Sequence, residues 1–475
     1  MWLMLVVLVL SGRLAASPKP NVILVMPDDV GWGDFACHGN PVARTPAVDG
    51  FWREAVRFTD FHVSPTCAPT RAALLTGRHE FKNGVTHTID ERERLAPGAR
   101  TLAEVLRGAG YATGLFGKWH LGDERDRWPD RRGFDEFFIH GAGGIGQSYP
   151  GSCGDAPGNT NFDPVILHNG KFEKTRGYCT DVFFERAMAW IQSAKDRGPF
   201  FAMITPNAAH APLDVPDSFA KRHRGEVNEM TAKFYGMIEN IDENFGRLLA
   251  KLKEWDLEAS TLVVFLTDNG GTVGVPLFNG GRRGTKGTPY EGGTRVPSLW
   301  RWPGGFGGGR DVDVLTAHLD ILPTLADFAG ASLDDTVARQ VEGRSLRPLL
   351  MPGAAADPVI PWADRTFITH VGRWPQGQAA AFKHTGCSIR DARFSLVNNT
   401  ELFDLRTDSG QQTNVIDAHP DVVARLRSAY DAWWDSLPPL LVNEDAVPPA
   451  ENAFAVLFRE QFGDSPPPPG KRSGP

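Results

Sequence analysis

Residues 21–34 read NVILVMPDDVGWGD. The run from Asn21 to Met26 carries no charge and leads directly to a paired carboxylate, Asp28-Asp29. An apolar run without polar alternation predicts a strand buried on both faces at the centre of a parallel sheet. In open α/β sheets, ligands gather at the carboxyl ends of the strands, so the other strand ends decide what kind of protein this is. YATGLFG (111–117) runs into Lys118, with His120 close behind. PFFAMIT (199–205) precedes His210, and TLVVFLT (261–267) runs into Asp268-Asn269. Between these runs lie helical stretches. TLAEVLRGAG (101–110) opens on a capping box, Thr101 with Glu104, and closes on glycine; 181–198 and 230–255 are amphipathic. The βαβ rhythm from Asn21 to about Gly330 predicts a large, mostly parallel sheet with helices on both faces.

Beyond Pro352 the texture changes. FITHV, KHTGCSIR, FSLVN and ELFDL are short strand-like runs that predict a smaller antiparallel sheet, closed by a helix over 420–437. The expected division is therefore an α/β domain over 18–352, an α+β subdomain over 353–450 and a Pro-rich, disordered tail over 451–475. Residues 1–17 hold an apolar run too short to span a bilayer, followed by small residues near Ala15–Ser17. They read as a secretory signal peptide. No later run is apolar for long enough to span.

The chain has 475 residues, 41% of them hydrophobic, and a net charge of −7. No basic patch or arginine-rich tract suggests a nucleic-acid partner. Five cysteines leave one unpaired in an oxidising compartment; Cys153 and Cys179 bracket a Gly-rich loop and could form a disulfide. No pair has the CxxC spacing of a zinc site.

Asp28, Asp29, Asp268 and the amide oxygen of Asn269 form an all-oxygen set. Hard cations favour such ligands, and the irregular mix favours Ca²⁺ over Mg²⁺. Each pair alone could be no more than a turn; with four strand ends aimed at one sheet edge, a common site is the better reading. Lys118, His120, His210, Lys286 and Arg71 could neutralise charge on a transferring anion and move its protons. Cys67, in PTCAPTRAALLTGR (65–78), heads a short helix whose N-terminus suits an anionic centre. From its own residues it reads first as a packing residue or a disulfide half, with a metal thiolate, a nucleophile and a cysteine that is later modified left open.

CAPTR (67–71) resembles the C-x-P-x-R modification motif of the type I sulfatases, with Thr70 where most members carry serine or alanine. GYATGLFGKWHLG (110–122) looks like the second signature of that family. MPDDVGWGD (26–34) is similar to its metal-binding opening, with Met-Pro in place of the more usual aliphatic-Ala. TDNGG, KGTPYEGGTRVP (286–297) and ELFDLRTDSGQQTNV (401–415) resemble its remaining blocks. The likeness spans Asn21 to Leu437 and implies an alkaline-phosphatase-like fold and hydrolysis of sulfate esters. It also implies oxidation of Cys67 to 3-oxoalanine (Cα-formylglycine) by a formylglycine-generating enzyme. One divalent metal would sit on Asp28, Asp29, Asp268, Asn269 and an oxygen of modified residue 67. Arg71 would hold the hydrated aldehyde, Lys118 and Lys286 the sulfate, His210 would protonate the leaving oxygen and His120 would help eject sulfate.

Two rivals remain. One is a phosphoester or phosphonate hydrolase of the same superfold, whose two-metal members generally carry Asp-His near 268–269 and a Ser or Thr nucleophile. An inactive sulfoglycan-binding relative would have lost a site residue. Export, to a periplasm, the medium or a lysosome-type compartment, favours a sulfated small molecule or polysaccharide as substrate. Specificity is expected from 139–180 and 370–390, through exposed Trp and His.

Overall fold

In the computed structural model, residues 19–147, 151–352, 362 and 364–463 are described. The expected signal segment lies outside them, as do 464–475. Among the described residues sixteen strands occur. They are β1 (Asn21–Val25), β2 (Val56–Phe58), β3 (Phe61–His62), β4 (Ala112–Lys118), β5 (Glu136–His140), β6 (Val165–His168), β7 (Lys171–Lys174), β8 (Phe200–Thr205), β9 (Thr261–Leu266), β10 (Ser298–Arg301), β11 (Arg310–Val312), β12 (Thr316–Ala317), β13 (Phe367–His370), β14 (Cys387–Arg390), β15 (Phe394–Val397) and β16 (Glu401–Asp404).

Ten of them form one sheet in the order β11-β2-β10-β9-β1-β8-β4-β5-β6-β7. Its centre, β9-β1-β8-β4-β5, is wholly parallel. That is where the uncharged runs fall, because a strand covered on both faces has no polar side to present. Alternate residues of β1 go to opposite cores. Val22 and Leu24 meet the face carrying the helices Cys67–Thr76 and Leu102–Gly108, whereas Ile23 and Val25 meet the helices Cys179–Ala194 and Glu229–Glu254. The capping box forms as expected, with Thr101 Oγ1 accepting from Glu104 N at 3.2 Å and Glu104 Oε2 from Thr101 N at 2.8 Å.

The C-terminal sheet β13-β14-β15-β16 is antiparallel throughout. The helix Pro420–Asp435 closes it with Val423, Leu426, Tyr430 and Trp434. Two expectations are corrected. The tail expected to be disordered from 451 contains a helix, Ala453–Phe462, whose Phe454 and Phe458 pack edge-on against Phe172 of β7 at 5.8 and 5.6 Å. Its sequence AFAVLFREQF is apolar on one face; the proline run that dominates the composition starts after it. The Cys153–Cys179 disulfide does not form, and all five cysteines are free. Cys153 donates to Glu93 Oε1 at 3.1 Å, while Cys179 opens a helix beside Asn161.

The two sheets are joined through charge. Arg390 of β14 reaches into the main domain and donates to Asp60 Oδ1 and Oδ2 at 3.0 and 2.9 Å and to Glu291 Oε1 at 2.9 Å. It also meets His62 Nε2, so its guanidinium fills the buried cluster of Asp60, His62 and Glu291. Removing this cation strands two buried carboxylates. Arg390→Met is expected to cost about 3–5 kcal/mol of stability, measured by urea denaturation; a loss within that of an exposed substitution would contradict this account.

Candidate active site

The four parallel strand ends do meet. β1 delivers Asp28 and Asp29, β4 delivers Lys118 and His120, the segment after β8 carries His210, and β9 is followed by Asp268 and Asn269. Backbone bonds lock the ends to one another. Asp28 N donates to Ala208 O at 3.0 Å and Ala209 N to Asp28 O at 2.7 Å, which fixes the His210 segment against β1. Gly117, at φ 122°, passes so close to β8 that a Cβ would lie 2.1 Å from Thr205 O. No side chain fits there.

Asp28, Asp29 and Asp268 are buried and offer oxygens that all lie within 4.8 Å of one another. Three cations answer them. Lys118 Nζ donates to Asp28 Oδ2 at 2.6 Å, Lys286 Nζ to Asp29 Oδ1 at 2.5 Å, and Arg71 Nη2 to Asp268 Oδ2 at 2.8 Å. Burial pushes Asp28 up to about 6, against the pull of Lys118. Burial and the neighbouring Asp28 charge push Asp268 up to about 6 as well. Asp29 is also raised by burial, but Lys286, His210 and Lys118 outweigh this and hold it well below the usual carboxylate range. Two buried oxygens, Asp28 Oδ1 and Asn269 Oδ1, have no hydrogen-bond partner. Hard oxygen donors left unpaired beside three carboxylates fit a hard cation.

Cys67 opens the helix Cys67–Thr76, preceded by Thr66 in extended conformation. Its Sγ lies 3.4 Å from His120 Nδ1. Burial alone would raise this thiol, yet Lys118 and Lys286 bring it below its ordinary value. His120 Nε2 lies 2.9 Å from Thr88 O. A carbonyl can only accept, so the ring proton is on Nε2 and the Nδ1 lone pair faces residue 67. His210 is oriented the opposite way. Its Nδ1 donates to Ala211 O at 2.7 Å, leaving Nε2 turned to Asp29 Oδ2 at 3.7 Å. The roof over both histidines is glycine: a Cβ on Gly143 would meet His120 Cε1 at 3.2 Å, and one on Gly144 would meet His210 Nδ1 at 2.8 Å.

All ten residues expected at the site come together here. Their supports leave no mark in the residue pattern. Thr88 acts through a backbone carbonyl, which no residue type encodes. Glu291, Tyr290 and Arg283 fix the loop that carries Lys286, tied in turn to Arg390, Gln411 and Glu401 of the C-terminal subdomain. The expected exposed Trp of 370–390 is corrected, because Trp374 is buried against Phe81, His370 and Trp434.

The sulfatase family profile matches residues 20–331, and that of the N-sulphoglucosamine sulphohydrolase C-terminal region matches 285–431. The chain belongs to the sulfatase family. Arylsulfatase G of Mus musculus is 34% identical over 386 residues, covering 72% of this chain and 70% of the relative. N-acetylgalactosamine-6-sulfatase of Homo sapiens is 31% identical over 366 residues, covering 73% and 68%. Among solved structures, Ps i-CgsB superposes with a TM-score of 0.79 at 25% identity, over 93% of this chain and 97% of that one, and has also been solved with k-i-k-neocarrahexaose. The protein is thus a sulfuric ester hydrolase with an alkaline-phosphatase-like fold. Among the described residues, no helix of this sulfatase is long and apolar enough to cross a membrane.

The shifted carboxyls make a pH prediction for the metal-free sulfatase. Folded Asp28 and Asp268 keep their protons up to about pH 6, whereas the unfolded groups release them near 3.8. The stability they contribute is therefore full below 3.8 and is lost as pH rises through about 6. Asp28→Asn is expected to flatten the stability profile between these values, read from urea midpoints across pH. A profile identical to that of the parent would refute the assignment.

Proposed function

We propose that this sulfatase hydrolyses sulfate esters of an extracellular or compartmental sulfated carbohydrate, using a formylglycine hydrate at position 67 and one divalent metal, Ca²⁺ in preference to Mg²⁺. The observation that carries the reading is the placement of Cys67. It stands at a helix N-terminus, with the His120 Nδ1 lone pair on one side and three carboxylates neutralised by Lys118, Lys286 and Arg71 on the other.

In this reading Cys67 Sγ stands where one oxygen of the hydrated aldehyde would lie. A divalent ion on Asp28, Asp29, Asp268, Asn269 and residue 67 would supply Lewis-acid polarisation of the ester. Lys118 and Lys286 neutralise charge on the sulfate oxygens, and the helix N-terminus adds its dipole. One diol hydroxyl, acidified by the neighbouring cations, releases its proton to water and attacks sulfur, displacing the alcohol. The alcohol oxygen takes a proton from Nε2 of His210 in its imidazolium form, which Asp29 Oδ2 at 3.7 Å stabilises. His120 Nδ1 then takes the proton of the second hydroxyl. The O–H pair forms the aldehyde C=O, and the C–O bond to sulfate breaks. A serine has no second hydroxyl to drive that release, which explains why the cysteine is modified. Arg71, fixed by Lys118 O at 2.8 Å and Asp268, holds residue 67 in line.

The carbohydrate class is supported by the kinship with N-acetylgalactosamine-6-sulfatase and with a structure solved with a neocarrahexaose. Maturation would require a formylglycine-generating enzyme and export past it. Mass spectrometry of the tryptic peptide ending at Arg71, from a host with that enzyme, should show the thiol replaced by an aldehyde. Lys286→Ala should lower kcat/KM for an aryl sulfate by about 10²–10³. Chelation should abolish turnover, and Ca²⁺ at about 100 times its Kd should restore stability by about 2.7 kcal/mol. An intact thiol in fully active protein would sink the formylglycine reading, and full activity after exhaustive chelation would sink the metal.

A further inference from the structure

The rim of the site holds a cation that the chemistry above does not use. Arg373 lies just beyond β13 and is exposed, unlike its neighbours Gly372 and Trp374. Its backbone is in the left-handed region, at φ 59°. For a non-glycine residue this conformation is unfavourable and persists only where the surroundings fix it. They do so here: Arg373 N donates to Thr86 O at 3.0 Å, Gly372 N donates to His370 Nδ1 at 2.9 Å, and a Cβ on Gly372 would lie 2.0 Å from Thr86 O. The guanidinium is thereby directed to Thr88, with Nη2 donating to Thr88 Oγ1 at 3.0 Å. Thr88 is the residue whose carbonyl holds His120. Among the described residues Arg373 forms no ion pair. The neighbouring Arg92 is already committed, to Glu444 at 3.1 Å and to Trp374 O at 2.6 Å, with Asp90 and Glu93 also facing it.

His87 stands beside this guanidinium. Its Nδ1 accepts from Thr88 N at 2.8 Å and Ile89 N at 3.1 Å, so its ring proton is on Nε2. Burial, then the charges of Arg373 and Arg92, push it down to about 3. It therefore offers a neutral N–H donor beside an unpaired, permanently charged fork. A planar guanidinium free of carboxylates matches the two-oxygen geometry of a carboxylate or sulfate.

We propose that Arg373, with His87 Nε2–H, forms a second anion subsite that binds a carboxylate or further sulfate on the sugar beside the one being desulfated. The preferred substrate is then a polyanionic saccharide and not a singly charged ester. This rests on the sulfated-carbohydrate reading above and narrows it. Arg373 touches no reacting atom and is a specificity residue.

The test compares the mature, metal-loaded enzyme with Arg373→Ala and Arg373→Lys on four substrates: an aryl sulfate, a neutral disaccharide with one sulfate, one with one sulfate and a uronate, and one with two sulfates. For Arg373→Ala, the ratio of kcat/KM on a dianionic saccharide to that on the aryl sulfate should fall about ten-fold or more, as loss of a charged hydrogen bond predicts. The loss should lie in KM, with Arg373→Lys recovering part of it. The uronate and disulfated substrates distinguish carboxylate from sulfate as the bound group. An equal loss on all substrates would mean that Arg373 only props Thr88 and His120, and would overturn the proposal, as would an unchanged ratio. If the parent enzyme releases sulfate from the aryl ester but from no saccharide, the carbohydrate reading fails first, and the two failures are told apart.

Discussion

Three carboxylates whose oxygens lie within 4.8 Å of one another set the terms for this structure. At an effective dielectric of about 20, each pair of unit charges at that spacing repels by about 3–4 kcal/mol. The sum is comparable with the whole net stability of a folded domain. Such a group can exist only if countercharge is built around it, and the countercharges come from three separate places. Lys118 ends β4, Arg71 projects from the helix that Cys67 begins, and Lys286 sits on a loop far along the chain. The parallel centre of the sheet follows from the same demand, because only parallel neighbours deliver β1, β4, β8 and β9 to one edge with their C-terminal residues together.

Lys286 is the most demanding of the three, because its loop has no strand to hold it. The C-terminal subdomain supplies that support. Glu401 accepts from Arg283 at 3.0 Å and from Tyr290 OH at 2.6 Å, Gln411 Oε1 accepts from Glu291 N at 2.8 Å, and Arg390 pins the Glu291 carboxylate. The small sheet is therefore a clamp on one of the site's cations. The C-terminal block thus has a mechanical role in this chain, although it carries none of the expected catalytic groups. Two of its residues, Glu401 and Gln411, lie within the motif read at 401–415.

What was legible in the sequence follows from what local pattern can encode. The uncharged runs at 21–26 and 261–267 announced central strands, because burial on both faces leaves a compositional mark. The functional groups were legible because they sit at fixed offsets from those strands. Helix 101–110 was legible through its cap. Contacts made by backbone atoms left no mark, and Thr88 O on His120 is the main example. Long-range ion pairs were equally silent: Arg390 could not be told from any other strand arginine until Asp60 and Glu291 were seen around it. Composition misled at 451–475, where a proline-rich end masked an apolar helix. Cysteine count misled at Cys153 and Cys179, whose thiols found carboxylate and amide oxygens instead of each other.

Several non-glycine residues on and near the site hold left-handed backbone, and three of them are Asp29 at φ 61°, His120 at φ 58° and Arg373 at φ 59°. Each such conformation costs about 1–2 kcal/mol, so it calls for a cause. For these three a hydrogen bond within the site holds the residue: Asp29 N to Asp268 Oδ1 at 3.3 Å, His120 Nε2 to Thr88 O at 2.9 Å, and Arg373 N to Thr86 O at 3.0 Å. The last two bonds end on one short segment, 86–88, which therefore sets both the imidazole that faces residue 67 and the cation at the rim. Strain held at these points is what places the groups before any substrate arrives, so little reorganisation is left to the reaction itself. With His120 and Arg373 acting as proposed, chemistry and selectivity are coupled through the backbone of three residues, and a change at 86–88 reaches both.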